Sequence, residues 1–121
     1  MRQQMLLDRQ RAKLLANGAV NLAHRNDDGM TEDFRPVVKL FNPMGAATWL
    51  LSELDEDGDT AFGLCDMGMG EPEMGYVSLS EVAEVRLPLG LYIERDIHFN
   101  AKKTLSEYAE EARRLGRIEV C

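Results

Sequence analysis

Cysteine is scarce in this chain of 121 residues. Only Cys65 and Cys121 occur, which excludes a disulfide framework. Long apolar runs are missing as well. Arg2, Asp8, Arg9, Arg11 and Lys13 interrupt every early hydrophobic stretch, so no signal peptide and no span of about 20 apolar residues is legible. A cytoplasmic protein without membrane contact is the expectation. Positive charge is also short: 14 Lys and Arg stand against 21 Asp and Glu, a formal net charge of −7. Affinity for nucleic acid comes largely from Lys and Arg displacing counterions, and an acidic field repels phosphate at long range. Tight binding of DNA or RNA by the chain alone is therefore not expected.

The usual catalytic signatures are lacking too. Gly63, Gly68, Gly70 and Gly75 are followed by no Lys-Ser/Thr, and Glu71 and Glu73 among them would repel phosphate, so both nucleotide fingerprints fail. Asp55, Asp57, Asp59 and Asp66 echo the ligand spacing of a calcium loop. The glycine falls at the fourth position where that loop needs its sixth, and strands flank it where helices should stand. No metal and no cofactor is expected. Cys65 has no basic neighbour to activate its thiol. Met67, Met69 and Met74 are expected mainly to fill core space.

What is present is a hydrophobic content of 45%, enough for one domain over residues 1–121 that removes roughly two thirds of its unfolded surface from water. Residues 1–25 read as helical: Leu7, Ala12, Leu14, Leu15, Ala16, Ala19 and Leu22 form a stripe of helical period, with Arg9, Arg11 and Lys13 outside it. Asn17-Gly18 is a C-cap signal, so one long helix and two short ones are both compatible with the pattern. Residues 26–35 are polar and read as loop; the stretch from His24 to Asp33 is expected to be mobile.

From 36 to 99, short apolar runs alternate with Gly- and Asp-rich turns, the pattern of an antiparallel meander. Strands are expected at Val37–Phe41, Thr48–Glu53, Ala61–Cys65, Gly75–Val77 and Leu91–Phe99. Ser78-Leu79-Ser80-Glu81 and Thr104-Leu105-Ser106-Glu107 both fit capping boxes, opening a short turn over 79–83 and a helix over 104–117 that ends at Gly116. The fold class is α+β: an antiparallel meander sheet of about five strands with N-terminal and C-terminal helices packed on it, both on one face. On the last strand, alternation puts Leu91, Ile93, Arg95, Ile97 and Phe99 on one side and Tyr92, Glu94, Asp96 and His98 on the other. Two carboxylates and an imidazole together suit acid–base or metal chemistry, and a half-solvated sheet face explains them as well. Arg95 among apolar neighbours calls for an anionic partner such as Glu53.

The blocks Lys39-Leu40-Phe41-Asn42-Pro43, Thr48-Trp49-Leu50-Leu51-Ser52-Glu53, Phe62 to Asp66 running on to Leu79, and Glu94-Arg95-Asp96-Ile97-His98-Phe99 resemble the uncharacterised bacterial family DUF2958 (domain of unknown function 2958). The resemblance implies a short protein of plasmids and integrative conjugative elements, encoded beside DNA-processing genes. It transfers no catalytic residue. The expected role is a small accessory protein of mobile genetic elements acting through contact with another protein. The alternative is a nucleic-acid-processing enzyme with the helix-plus-sheet build of ribonuclease toxins, against which the missing basic groove stands. The residues marked out as a binding surface are Trp49, Glu53, Asp66, Glu73, Tyr76, Glu94, Arg95 and His98.

Overall fold

A computed structural model describes residues 5–120; Arg2 and Cys121, named above, lie outside the described residues. Helix α1 (Asp8–Arg25) opens the chain, and Gln10 returns its side-chain oxygen to the Leu7 N–H. Strands β1 (Val38–Phe41), β2 (Thr48–Leu54), β3 (Thr60–Asp66) and β4 (Glu73–Ser78) follow, then the short helix α2 (Leu79–Glu84), the two-residue strand β5 (Glu94–Arg95) and helix α3 (Leu105–Leu115). All pairings are antiparallel, and the sheet order is β4-β3-β2-β1-β5. The first four strands form the expected meander. The fifth crosses back to pair with β1, so β4 is left as an edge.

The two terminal helices cover opposite faces, not one. Trp49, Leu51 and Leu54 of β2 pack with Leu14 of α1 and with Leu79 and Val82 of α2. Leu50, between Trp49 and Leu51, packs instead with Leu64 and with Leu105, Tyr108, Ala109 and Ala112 of α3. Successive side chains on a strand point to opposite sides, so these are two cores divided by the sheet. That arrangement explains why β2 is buried from Trp49 to Leu54: its central position leaves neither face to solvent.

Helix α1 runs unbroken through Asn17-Gly18, and its buried side is not the expected stripe. Leu14, Asn17, Gly18 and Asn21 face inward, while Ala12, Ala16, Ala19 and Leu22 are exposed. The cause lies in β2, where the register to β3 shifts between Leu51 and Glu53. Such a bulge leaves a backbone group without a ladder partner. Asn17 Nδ2 donates to the Ser52 carbonyl at 3.0 Å. A Cβ on Gly18 would stand 2.1 Å from the Leu54 carbonyl oxygen, so glycine alone permits this approach of helix to strand. Asn21 is bonded on both sides of its amide. Its Oδ1 accepts from the Glu32 N–H, and its Nδ2 donates to the Glu32 carbonyl and to Glu53 Oε2. The expected mobile loop is thereby tied at its far end, and Asp33 ties it again by accepting from the Ser106 N–H and hydroxyl.

The expected strand over Leu91–Phe99 shrinks to Glu94–Arg95. Asp96 Oδ1 accepts from the His98 N–H, a local bond that competes with ladder pairing. Alternation fails accordingly: Ile93 enters the α1-side core, Phe99 packs on the α3-side core, and Ile97 is 69% exposed. The capping box at Thr104 is complete, with Glu107 returning to the Thr104 N–H, and Gly116 closes α3 at φ 78°. At Ser78 the serine caps the Glu81 N–H, but Asp59 is its partner: the Asp59 carboxylate accepts from the Ser78 hydroxyl and the Ser80 N–H.

Candidate functional site: an acid-lined cleft beside an open strand edge

The β2 bulge that receives α1 also places Glu53. It pairs with Phe62 on β3, and Phe62 pairs with Tyr76 on β4, so the three side chains form a row across three strands on the α3 face. The Phe62 and Tyr76 rings lie 5.1 Å apart at 56°. Helix α3 packs on Leu50 and Leu64 of this face, and its first residues, Leu105 and Ser106, border the row beside Glu53 and Phe62. There a cleft of about 280 Å³ opens, floored by Phe34, Phe62, Met74 and Leu105. Its polar lining is acidic or hydroxylic: Glu32, Asp33 and Glu53, with Ser52 and Ser106.

Glu53 is the least comfortable of these groups. Only 10% of its side chain is exposed, Asn21 Nδ2 donates to Oε2 at 2.8 Å, and the Arg25 guanidinium stands 3.9 Å from Oε1. Burial pushes its carboxyl above the ordinary range, against the pull of Asn21 and Arg25. Asp33 goes the other way. Burial opposes ionisation, yet hydrogen bonds from Ser106 and Thr104 hold its carboxyl below the usual value. One carboxylate is thus committed to capping α3, and the other keeps acceptor capacity toward the cleft.

The residues marked out from the sequence divide into three groups. Trp49 is 6% exposed inside the α1-side core, and Asp66, 2% exposed, accepts from the Gly68 and Ile118 N–H groups, pinning the C-terminal segment to β3. Glu53 and Tyr76 come together on the cleft side of the sheet, with Tyr76 60% exposed, whereas Glu73 pairs with Cys65 and stands at the same β4 edge on the α1-side face. Glu94, Arg95 and His98 sit at the opposite edge of the sheet, where Lys39 pairs with Asp96 at 3.3 Å. The cation nearest Glu53 is Arg25, not the expected Arg95. Met74 fills core space on the α3 side, whereas Met67 and Met69 are exposed at 58% and 82%. Among the described residues, no three His, Cys, Asp or Glu side chains gather as a metal site. In the loop between β2 and β3, Asp57 instead accepts from the Asp59 and Thr60 N–H groups. Burial raises the Cys65 thiol above its ordinary value.

Phe62, Met74 and the three-strand row were not marked out from the sequence, because the row depends on register. One signal was there to be read. From Leu40 to Val85 the chain carries ten carboxylates and no Lys, Arg or His. Strands β2, β3 and β4 and helix α2 all fall in this stretch, so this end of the sheet has no cation of its own.

Fold and cleft define a small α+β protein with two helical layers about an antiparallel sheet and an anionic, partly apolar recess at one edge. The chain belongs to the family described as protein of unknown function (DUF2958), which matches residues 5–119. No curated protein and no solved structure matches it. No helix among the described residues is long and apolar enough to cross a membrane.

Proposed function

We propose that this protein is a small cytoplasmic accessory protein of mobile genetic elements that works by docking a basic segment of another protein on the cleft sector. The mobile-element setting rests on the family resemblance. The docking reading rests on one observation: the row Glu53–Phe62–Tyr76, a buried carboxylate continued by two aromatic rings, in a stretch of chain without a cation. Aromatic faces and a carboxylate attract Lys and Arg together, the rings through their quadrupole and the carboxylate through its charge. The floor of Phe34, Met74 and Leu105 takes the aliphatic stems of such side chains. An acidic sector also speeds encounter with a basic partner, and this component weakens with salt.

The test is a photo-crosslinker placed at Thr31, an exposed residue of the cleft lining, in the native host. The reading expects capture of a basic protein, with yield falling in Tyr76→Ala and Glu53→Gln backgrounds that melt as the parent does. Capture of nucleic acid, or a yield indifferent to both substitutions, contradicts it and favours the enzyme alternative.

A further inference from the structure

Strand β4 ends the sheet, and its hydrogen-bonding phase follows from its neighbours. The Leu79 N–H donates to the Asp59 carbonyl at 2.9 Å, directly past the last ladder pair, Thr60 with Ser78. In an antiparallel ladder, hydrogen-bonded and non-hydrogen-bonded pairs alternate. The pairs Ala61–Val77, Gly63–Gly75 and Cys65–Glu73 therefore carry the bonds to β3. The N–H and C=O groups of Met74 and Tyr76 point away from the sheet. Among the described residues nothing bonds to them. The edge is lightly guarded: β4 has no Lys, no Pro and no bulge, its one charge is Glu73 at its first residue, and a side chain on Gly75 would meet open space.

We infer that the β4 edge takes up an extended, basic segment of a partner protein as a sixth strand, through the outward N–H and C=O groups of Met74 and Tyr76. This rests on the docking reading above and gives it a geometry. Charge selects the occupant. Glu71 and Glu73 are exposed at the start of β4, and the surrounding stretch has no cation to balance them. An alternating segment laid here sets one row of side chains beside Tyr76 and the mouth of the cleft, where lysines or arginines meet rings and carboxylates. A second copy of this chain is the poorer occupant, because two molecules of net charge −7 repel.

The test uses the intact protein and two short synthetic peptides, one alternating lysine with valine and the other glutamate with valine. Amide exchange is followed by NMR. With the lysine peptide at saturation, exchange of the Met74 and Tyr76 N–H slows by about tenfold or more. The glutamate peptide leaves it unchanged. Tyr76→Thr loses the ring but keeps the outward N–H, so it binds the lysine peptide more weakly yet shows the same protection at saturation; Tyr76→Pro removes that N–H without touching the β3 ladder and loses peptide binding. Should Tyr76→Pro fail to fold, the exchange pattern of the parent still decides. Lysine-peptide binding that leaves both amides unprotected overturns strand addition while sparing the docking reading. No binding of the lysine peptide overturns both. Protection that appears with rising protein concentration alone assigns the edge to a second copy and overturns the basic partner.

Discussion

Replacing Gly18 by alanine sets two effects of opposite sign against each other. Helix propensity alone favours the change by about 1 kcal/mol, since glycine is a poor helix former in the interior of an 18-residue helix. Packing opposes it. The new Cβ would stand 2.1 Å from the Leu54 carbonyl oxygen, whereas carbon and oxygen settle at about 3.3 Å or more. Helix α1 must then lift by about 1 Å or more at this point. Asn17 bonds the Ser52 carbonyl at 3.0 Å and Asn21 bonds Glu53 at 2.8 Å, so a lift of that size breaks both. Two buried polar groups losing their partners cost about 2–5 kcal/mol together. After the propensity gain, Gly18→Ala is expected to be about 1–4 kcal/mol less stable, a melting temperature lower by roughly 5–15 °C. Urea and thermal denaturation followed by circular dichroism measure it. Ala19→Gly, at an exposed neighbouring position, is the companion and loses only about 1 kcal/mol. A Gly18→Ala protein as stable as the parent, or more so, refutes the claim that this helix is seated on the bulge.

Trp49→Ala, which empties the α1-side core next to Leu40, is expected to cost about 3–5 kcal/mol in chemical denaturation. Asp59 is held below the ordinary carboxylate value, first by the Ser78 hydroxyl and then by the Ser80 N–H. Its contribution is therefore present above the unfolded-state value near 3.8 and fades as pH falls through the lower folded-state value, so Asp59→Asn melts below the parent at neutral pH and the gap closes in acid. Calcium, magnesium, zinc or chelator shift the melting temperature by no more than about 1–2 °C, because the Asp57 and Asp59 oxygens are already occupied by backbone and hydroxyl donors; a larger, saturable rise would show linkage to metal.

What could be read from sequence was what neighbours in the chain decide. The Thr104–Glu107 capping box, the Gly116 stop and the hairpin between β2 and β3 are local devices, and each stands where its residues imply. The inward face of α1 is not local. Asn17 and Asn21 turn inward because a bulge on β2 and a loop beyond the helix supply the partners, and no periodicity within residues 8–25 records that. The last strand failed for the opposite reason: its alternation was real, but Asp96 satisfied the His98 N–H locally and the segment crossed the sheet from the Ile93 core to the Phe99 core. Of the binding surface, Glu53 and Tyr76 were legible as residues and not as a group, since what joins them through Phe62 is strand register. The stretch from Leu40 to Val85 was legible in full, but a net charge of −7 conceals it, because basic residues at both ends of the chain offset much of its acid.

The central claim is that the cleft sector and the β4 edge recognise basic protein and not nucleic acid. Amide chemical-shift mapping on the isotope-labelled protein tests it most directly, with the lysine–valine peptide and a single-stranded RNA titrated in parallel at moderate salt. The account predicts peptide-induced shifts at Glu53, Phe62 and residues 73–78, and RNA binding weaker than about 10⁻⁴ M. Saturable RNA shifts around Lys39, Asp96 and His98 with a steep salt dependence, and silence at β4 toward the peptide, would contradict it.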